Sequence, residues 1–166
     1  MSVVACRVCE DRVEIASDSI TVLGYTQTKG QNVTHSKLWQ SNEMTIGCVG
    51  LCEEGEQLCY FSKTHRPAGP QGDAVHDFFI EFSQWKKKLT EKHTLEGSYV
   101  LIYQNAAFYV NNFYVTEIAT YEAIGAGMDF ALAALYLGHD VEKAVGVACE
   151  LSVYCEKPVK KFVIKK

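Results

Sequence analysis

The chain has 166 residues, 48% of them apolar and 22% charged, and a formal net charge of −4. This length fits one domain, residues 1–166, and a chain of that size buries roughly 70% of its unfolded surface. The charge excludes a generally basic nucleic-acid binder. No apolar run approaches the ~18 residues that cross a membrane, and charged residues at positions 7, 10, 11 and 12 interrupt any signal peptide. We therefore expect a soluble, cytoplasmic domain.

The first half of the chain predicts two pairs of short strands and then helices. β-prone runs at 3–8 and 12–16 suit a hairpin, and 37–40 and 44–49 form a second pair around Ser41-Asn42. Residues 51–62 favour a helix with acidic residues in its first turn. After the loop 63–72, Asp73 is a candidate cap for a longer helix whose apolar residues recur with a period near 3.6.

Strands return in the second half and give way to helices again. The predicted strands are 98–103, 107–110 and 113–115, and the first is apolar on both faces, as in a covered central strand. A helix over 128–137 ends at Gly138, and Asp140 caps the next helix. Residues 159–164 form a closing strand. Segregated runs of this kind predict an α+β fold.

Two local motifs carry little chemistry. Cys6 and Cys9 have the spacing of zinc and redox sites, but on a strand they point to opposite faces, and a redox pair also needs a helix N-terminus. Gly125-Ala126-Gly127 lies between a strand and a helix, where phosphate loops occur, yet Phe130 replaces the third glycine of a dinucleotide fingerprint. We interpret the cysteines as buried thiols and the glycines as a tight turn.

Position 2 is the better candidate for a reactive group. Removal of Met1, which a small second residue permits, exposes the Ser2 hydroxyl beside an α-amino group with a pKa of about 7.7–8.0. Nucleophile and general base then belong to one residue. Asp18 follows the second predicted strand and returns near Ser2, and Lys37 opens the third; both charges would tune the amine. Gly47 offers an unhindered N–H for an oxyanion.

These residues together resemble the proteasome β-subunit family of N-terminal-nucleophile hydrolases, and more closely the bacterial HslV-type peptidases. The resemblance covers nearly the whole chain. The matching segments are 2–5, 13–18, 36–38, 44–50, 123–127 and 141–164.

The resemblance implies a four-layer αββα sandwich and a peptidase with Ser2 as nucleophile, Asp18 and Lys37 as the charged pair, and Gly47 as the oxyanion donor. It further implies that Thr45 and Val49 line the substrate pocket. No cofactor is required. The backbone carbonyls that would hold a structural monovalent or divalent cation are those of Cys149, Ser152 and Cys155.

The implied partners are unfolded polypeptides or peptides as substrates and further copies of the chain in stacked rings with the active sites inside. An ATPase unfoldase is an additional partner that the resemblance allows. Neither nucleic acid nor membrane is expected to bind.

Three residues depart from the family pattern. Ser2 stands where threonine is usual, Val3 where threonine is frequent, and Ala126 where active members carry the serine of a Gly-Ser-Gly turn. Serine lacks the methyl group that restricts the threonine rotamer. Two alternatives to a peptidase therefore stay open: a non-catalytic ring or scaffold subunit, favoured by Ala126, and a small-molecule amidase that uses the same nucleophile.

Overall fold

The computed structural model describes residues 2–28 and 35–166. The strands of the described residues are β1 (Val4–Val8), β2 (Arg12–Ser17), β3 (Thr21–Leu23), β4 (Thr26–Thr28), β5 (Leu38–Ser41), β6 (Met44–Val49), β7 (Ser98–Tyr103), β8 (Ala106–Asn111), β9 (Tyr114–Glu117), β10 (Tyr121–Ile124) and β11 (Lys160–Lys165). The helices are α1 (Cys52–Phe61), α2 (Gly72–Thr90), α3 (Met128–Tyr136) and α4 (Val141–Leu151).

Two antiparallel sheets form the centre of the fold. One has the strand order β10-β1-β2-β11, and the other the order β5-β6-β7-β8-β9. The N-terminal strand β1 is therefore central, paired with β2 through Val4 and Ser17 and with β10 through Val4 and Ile124. Because β1 is paired on both sides, it fixes the position of Ser2 and Val3, which precede it.

The helices cover the outer faces of the sheets, and the inner faces pack on each other. Helices α3 and α4 lie on β10, β1 and β2, whereas α1 and α2 lie on the second sheet. Apolar side chains of both sheets, among them Ile15, Leu38 and Val100, meet between them. These layers confirm the predicted α+β class and the αββα sandwich.

The predicted elements agree with the structure apart from their ends. Asp140 caps α4 by accepting the N–H of Lys143 at 2.8 Å, and Gly138 follows α3 with a positive φ of 89°. Asp73 does not cap α2, because the helix already begins at Gly72, with Gln71 at the cap position. The prediction also missed the exposed hairpin of β3 and β4. No helix among residues 2–28 and 35–166 is long and apolar enough to cross a membrane.

Candidate active site

Asp18 is the buried anchor of the site. It follows β2, and its side chain is fully buried. Oδ1 accepts the N–H of Val3 at 2.9 Å and the Nζ of Lys37 at 2.9 Å. Oδ2 accepts the N–H of Ile20 at 3.0 Å and that of Glu156 at 3.3 Å. These four donors meet the hydrogen-bonding needs of a buried carboxylate and tie the chain start to two distant segments.

Lys37 completes an ion pair at the base of a cleft. Its Nζ also donates to the Ile20 carbonyl at 2.6 Å, so two acceptors fix the ammonium group. The side chain is 14% exposed, and Lys37 lines the same cleft as Ser2. The structure thus brings Ser2, Asp18 and Lys37 together, as the sequence predicted.

Ser2 is seated against the turn that precedes α3. Its carbonyl accepts the N–H of Gly127 at 3.2 Å. At Gly125, where φ is +96°, a Cβ would lie 2.4 Å from the Ser2 carbonyl oxygen. Only glycine allows this close approach. Ala126, between the two glycines, is exposed.

The cleft holds about 600 Å³ of space, part of it open to solvent. Ser2, Ile20 and Lys37 line it together with residues 48–52. His35 and Glu56 also line it, and their side chains meet with Nδ1 and Oε1 3.1 Å apart. A nucleophile candidate and the lysine of a buried ion pair therefore line one opening of the size of a ligand site.

The structure does not bring Gly47 to the cleft. Gly47 lies inside β6, paired with Leu38 on one side and Val100 on the other, so its N–H is enclosed by the sheet. A Cβ there would lie within 2.9 Å of Val4, Ile15 and Leu38 side chains, and this close approach between the sheets explains the glycine. Because Gly47 is not open to a substrate, its predicted role as oxyanion donor is corrected.

Gly50 is the glycine that lines the cleft. It follows the last paired residue of β6, and its φ of +127° favours glycine. The sequence pattern does not distinguish it from Gly47, because both glycines stand in one short motif. The end of β6 at Val49 distinguishes them, because Gly47 lies before it and Gly50 after it.

Of the two predicted pocket residues, Val49 lines the cleft and Thr45 does not. Thr45 Oγ1 accepts the Nε2 of Gln40 at 3.2 Å, and Thr45 lines a separate depression with Glu43. Near the end of β6 it is Cys48, together with Cys52 at the start of α1, that reaches the cleft.

Burial raises the pKa of three thiols near the site, those of Cys48, Cys149 and Cys155. Burial raises the pKa of Cys48 to about 12. Burial, followed by the nearby charge of Asp18, raises the pKa of Cys149 to about 12 and that of Cys155 to about 11. A thiol attacks as its thiolate, so these cysteines are poor nucleophiles.

The predicted cation ligands lie at the end of α4. Cys149 is in its last turn, where carbonyl groups lack helical partners, and Ser152 is its C-cap. The Ser152 carbonyl accepts the N–H of Cys155 at 3.2 Å and retains a second lone pair. Carbonyl oxygens suit hard cations, so these residues fit the group, which remains a prediction. The described residues contain no cluster of three or more histidine, cysteine or acidic side chains for a metal.

Solved structures share this fold over their whole length. Thiobacillus denitrificans BPH in complex with Epoxomicin matches with a TM-score of 0.89 at 20% identity, covering 98% of each chain. A second structure of T. denitrificans BPH matches with 0.89 at 19%, covering 98% of this chain and 97% of that one. Eukaryotic HslV from Trypanosoma brucei matches with 0.73 at 18%, covering 99% of each chain.

The chain therefore has the HslV-type, proteasome β-subunit-like fold that the sequence resemblance implied. No family model matches the sequence, and no curated protein does. The likeness is one of fold.

Proposed function

We propose that the protein is an N-terminal-nucleophile peptidase that cleaves peptide bonds through Ser2 after removal of Met1. The observation that carries the proposal is the hydrogen-bonded set of Asp18, Lys37 and the Val3 N–H around the start of β1, beside a cleft that Ser2 lines. Asp18 accepts the N–H of Val3, the residue directly after Ser2, and so fixes the backbone that carries the proposed nucleophile.

In the proposed reaction the Ser2 hydroxyl adds to the scissile carbonyl while its own α-amine takes the hydroxyl proton. The tetrahedral intermediate then breaks its C–N bond, and the amine returns the proton to the leaving nitrogen. A water molecule, activated by the same amine, hydrolyses the Ser2 ester and releases the second product. The positive charge of the Lys37 ammonium disfavours protonation of the nearby α-amine and so keeps it neutral, the form that can accept the hydroxyl proton.

Gly50 replaces Gly47 as the proposed oxyanion donor, because its N–H lies at the cleft beyond the paired part of β6. A fixed backbone donor of this kind typically contributes about 10²–10³-fold to the rate. The substrate side chain would enter between Val49, Cys48 and Cys52, a lining of small apolar groups.

We further propose that the chain acts in a ring that encloses its active sites, with unfolded polypeptides as substrates. Large apolar side chains are exposed on β3 and α3 and after α4, as expected of surfaces that meet other copies. Examples are Leu23, Tyr136, Leu137 and Val153. Light scattering and electron microscopy of the purified protein test the assembly.

Ser2→Ala tests the function directly. The variant should lose at least about 10³-fold in peptide hydrolysis while its circular dichroism stays unchanged. Ser19→Ala is the matched control: it also removes one serine hydroxyl, but that hydroxyl donates to the Pro158 carbonyl at 2.5 Å and lies outside the cleft lining. Equal activity of both variants and wild type would exclude Ser2 as the nucleophile.

Ala126 favours one second candidate, a ring subunit without catalytic duty. In that case rings form and neither Ser2→Ala nor wild type cleaves peptides. Cleavage of small amides with no cleavage of peptides would instead indicate an amidase.

A further inference from the structure

A second buried carboxylate, Glu54, lies behind the cleft. It is in the first turn of α1 and only 3% exposed. Its oxygens accept the Lys86 Nζ and the Tyr99 hydroxyl. Oε1 also accepts the N–H of Glu96 at 2.9 Å and that of Gly97 at 2.7 Å. One carboxylate thus ties α1 to α2, to β7 and to the segment that precedes β7.

Lys86 strengthens the same connection. Its side chain is 3% exposed, and its Nζ also donates to the Thr94 carbonyl at 2.5 Å. The backbone of residues 94–97 is therefore held at three points, two by Glu54 and one by Lys86. Residues 94–97 belong to no helix or strand.

The segment held in this way is the support of Gly50. A Cβ at Gly50 would lie 2.8 Å from the Gly97 Cα and 3.2 Å from the Glu96 carbonyl oxygen, so the two backbones are in direct contact. From the other side, a Cβ at Gly97 would lie 2.9 Å from the Tyr99 hydroxyl. Gly97 therefore lies between Gly50, which lines the cleft, and the cluster of Glu54, Lys86 and Tyr99.

Helix α1 connects the cluster to the cleft a second time. Cys52, Gly55 and Glu56 line the cleft, whereas Glu54 is buried against Lys86 and Tyr99. Helix α1 begins two residues after Gly50, so the helix that carries Glu54 is joined directly to the residues that line the cleft.

Stability alone does not explain why this cluster contains two buried charged residues. Burial penalises both charges, and apolar residues of similar volume often stabilise a fold equally well or better. Burial raises the pKa of Glu54, but the hydrogen bonds from Lys86, Tyr99 and the two backbone N–H groups outweigh it, so the pKa lies below its ordinary value. Directional bonds fix a backbone in a way that apolar packing does not.

We propose that Glu54, held by Lys86 and Tyr99, is a positioning residue for the hydrolysis proposed above, on which this inference rests. It presses the backbone of residues 96–97 against Gly50 and so sets the direction of the Gly50 N–H toward the reacting carbonyl. A displacement of about 1 Å at such a donor can cost about 10²-fold in rate.

The test compares Glu54→Gln with Glu14→Gln. Glu14 is equally buried and accepts the Arg12 Nε at 2.7 Å, but it lies on β2 outside the cleft lining. At a temperature where both variants are folded, Glu54→Gln should lower kcat about 10- to 100-fold with KM changed less than about 3-fold. Glu14→Gln should stay within about 2-fold of wild type. Hydrogen exchange over residues 49–52 should rise in Glu54→Gln alone.

Tyr99→Phe keeps the proposal testable if Glu54→Gln does not fold, because it removes one hydroxyl and nearly no volume; it should lower kcat about 3- to 10-fold. Active wild type with unchanged kcat in the Glu54 and Tyr99 variants, or an equal fall in Glu14→Gln, overturns this inference alone. A wild-type chain that neither cleaves peptides nor takes up an epoxyketone probe overturns the proposed function and this inference with it.

Discussion

Two buried carboxylates, Asp18 and Glu54, are built alike and differ in what surrounds their lysines. Each accepts a lysine ammonium and at least two backbone N–H groups. Lys37, the partner of Asp18, is 14% exposed and lines the cleft with Ser2, whereas Lys86, the partner of Glu54, is 3% exposed and lies outside the lining of that cleft.

The difference separates a chemical role from a positional one. A lysine at the cleft can act on the charge of a neighbouring amine and on a substrate. A lysine enclosed by protein acts through the backbone that it holds. Both carboxylates are buried, so we expect changes at either pair to cost stability, and changes at Asp18–Lys37 to lower the rate more than changes at Glu54–Lys86 do.

Lys37→Met and Lys86→Met should show the largest contrast. Lys37→Met removes the cation from the cleft and should lower kcat about 10²- to 10³-fold, beside the stability lost because the buried Asp18 carboxylate loses its cation. Lys86→Met leaves the Glu54 charge buried without its cation, which should cost about 3–5 kcal/mol of unfolding free energy with a smaller fall in kcat. Steady-state kinetics and urea unfolding of both variants check this; two variants that lose rate and stability in the same proportion would contradict it.

Gly50→Ala tests the contact between the cleft loop and the segment that Glu54 holds. The added Cβ would collide with Gly97 at a φ of +127°, so we expect at least a 10-fold lower kcat/KM, on the order expected for a displaced oxyanion donor. Gly138→Ala is matched in its positive φ but has open space around the Cβ, and should cost only about 1 kcal/mol. Equal kinetics of the two variants would separate Gly50 from the reaction.

Acid should destabilise the wild type more steeply than Glu54→Gln. Because the pKa of Glu54 is lowered from its ordinary value of 4.5, its stabilising effect is complete above that pH and is lost as the pH falls through the folded-state pKa. Urea unfolding between about pH 3 and pH 7 measures this. Parallel pH curves for the two proteins would show that Glu54 is not held as the carboxylate.

Ala126→Ser should have the smallest effect, a gain in kcat of about 2- to 5-fold. Ala126 is exposed between two glycines that contact Ser2, so a hydroxyl fits there and adds a donor and acceptor near the amine. A ring subunit without catalytic duty would gain nothing. Activity measurements on purified wild type and variant distinguish the two.

The sequence predicted the layers because apolar periodicity is a local signal, but it missed features set by distant contacts. Glu54 in the first turn of a helix looks like an ordinary favourable charge. Its partners Lys86 and Tyr99 lie 32 and 45 residues further along, so its burial is visible only in the fold.

Errors at the turns have a different physical origin. In the hairpin of β5 and β6 the turn lies at Asn42-Glu43, both with positive φ, one residue later than predicted. Asn112-Phe113 is similar, so Phe113 lies in a turn and β9 begins at Tyr114. Asparagine signals such turns, whereas glutamate and phenylalanine do not. The prediction of Gly47 as oxyanion donor has a similar origin, because the sequence does not show that β6 ends at Val49.

The mature N-terminus tests the central claim most directly. Purified wild type and Ser2→Ala should be incubated with an epoxyketone, whose two electrophilic carbons can react with a hydroxyl and the adjacent free amine, and weighed intact by mass spectrometry. We predict a wild-type mass that lacks Met1 and carries one adduct, mapped to Ser2, and no adduct on Ser2→Ala. A wild-type chain that retains Met1 and carries no adduct would contradict the account.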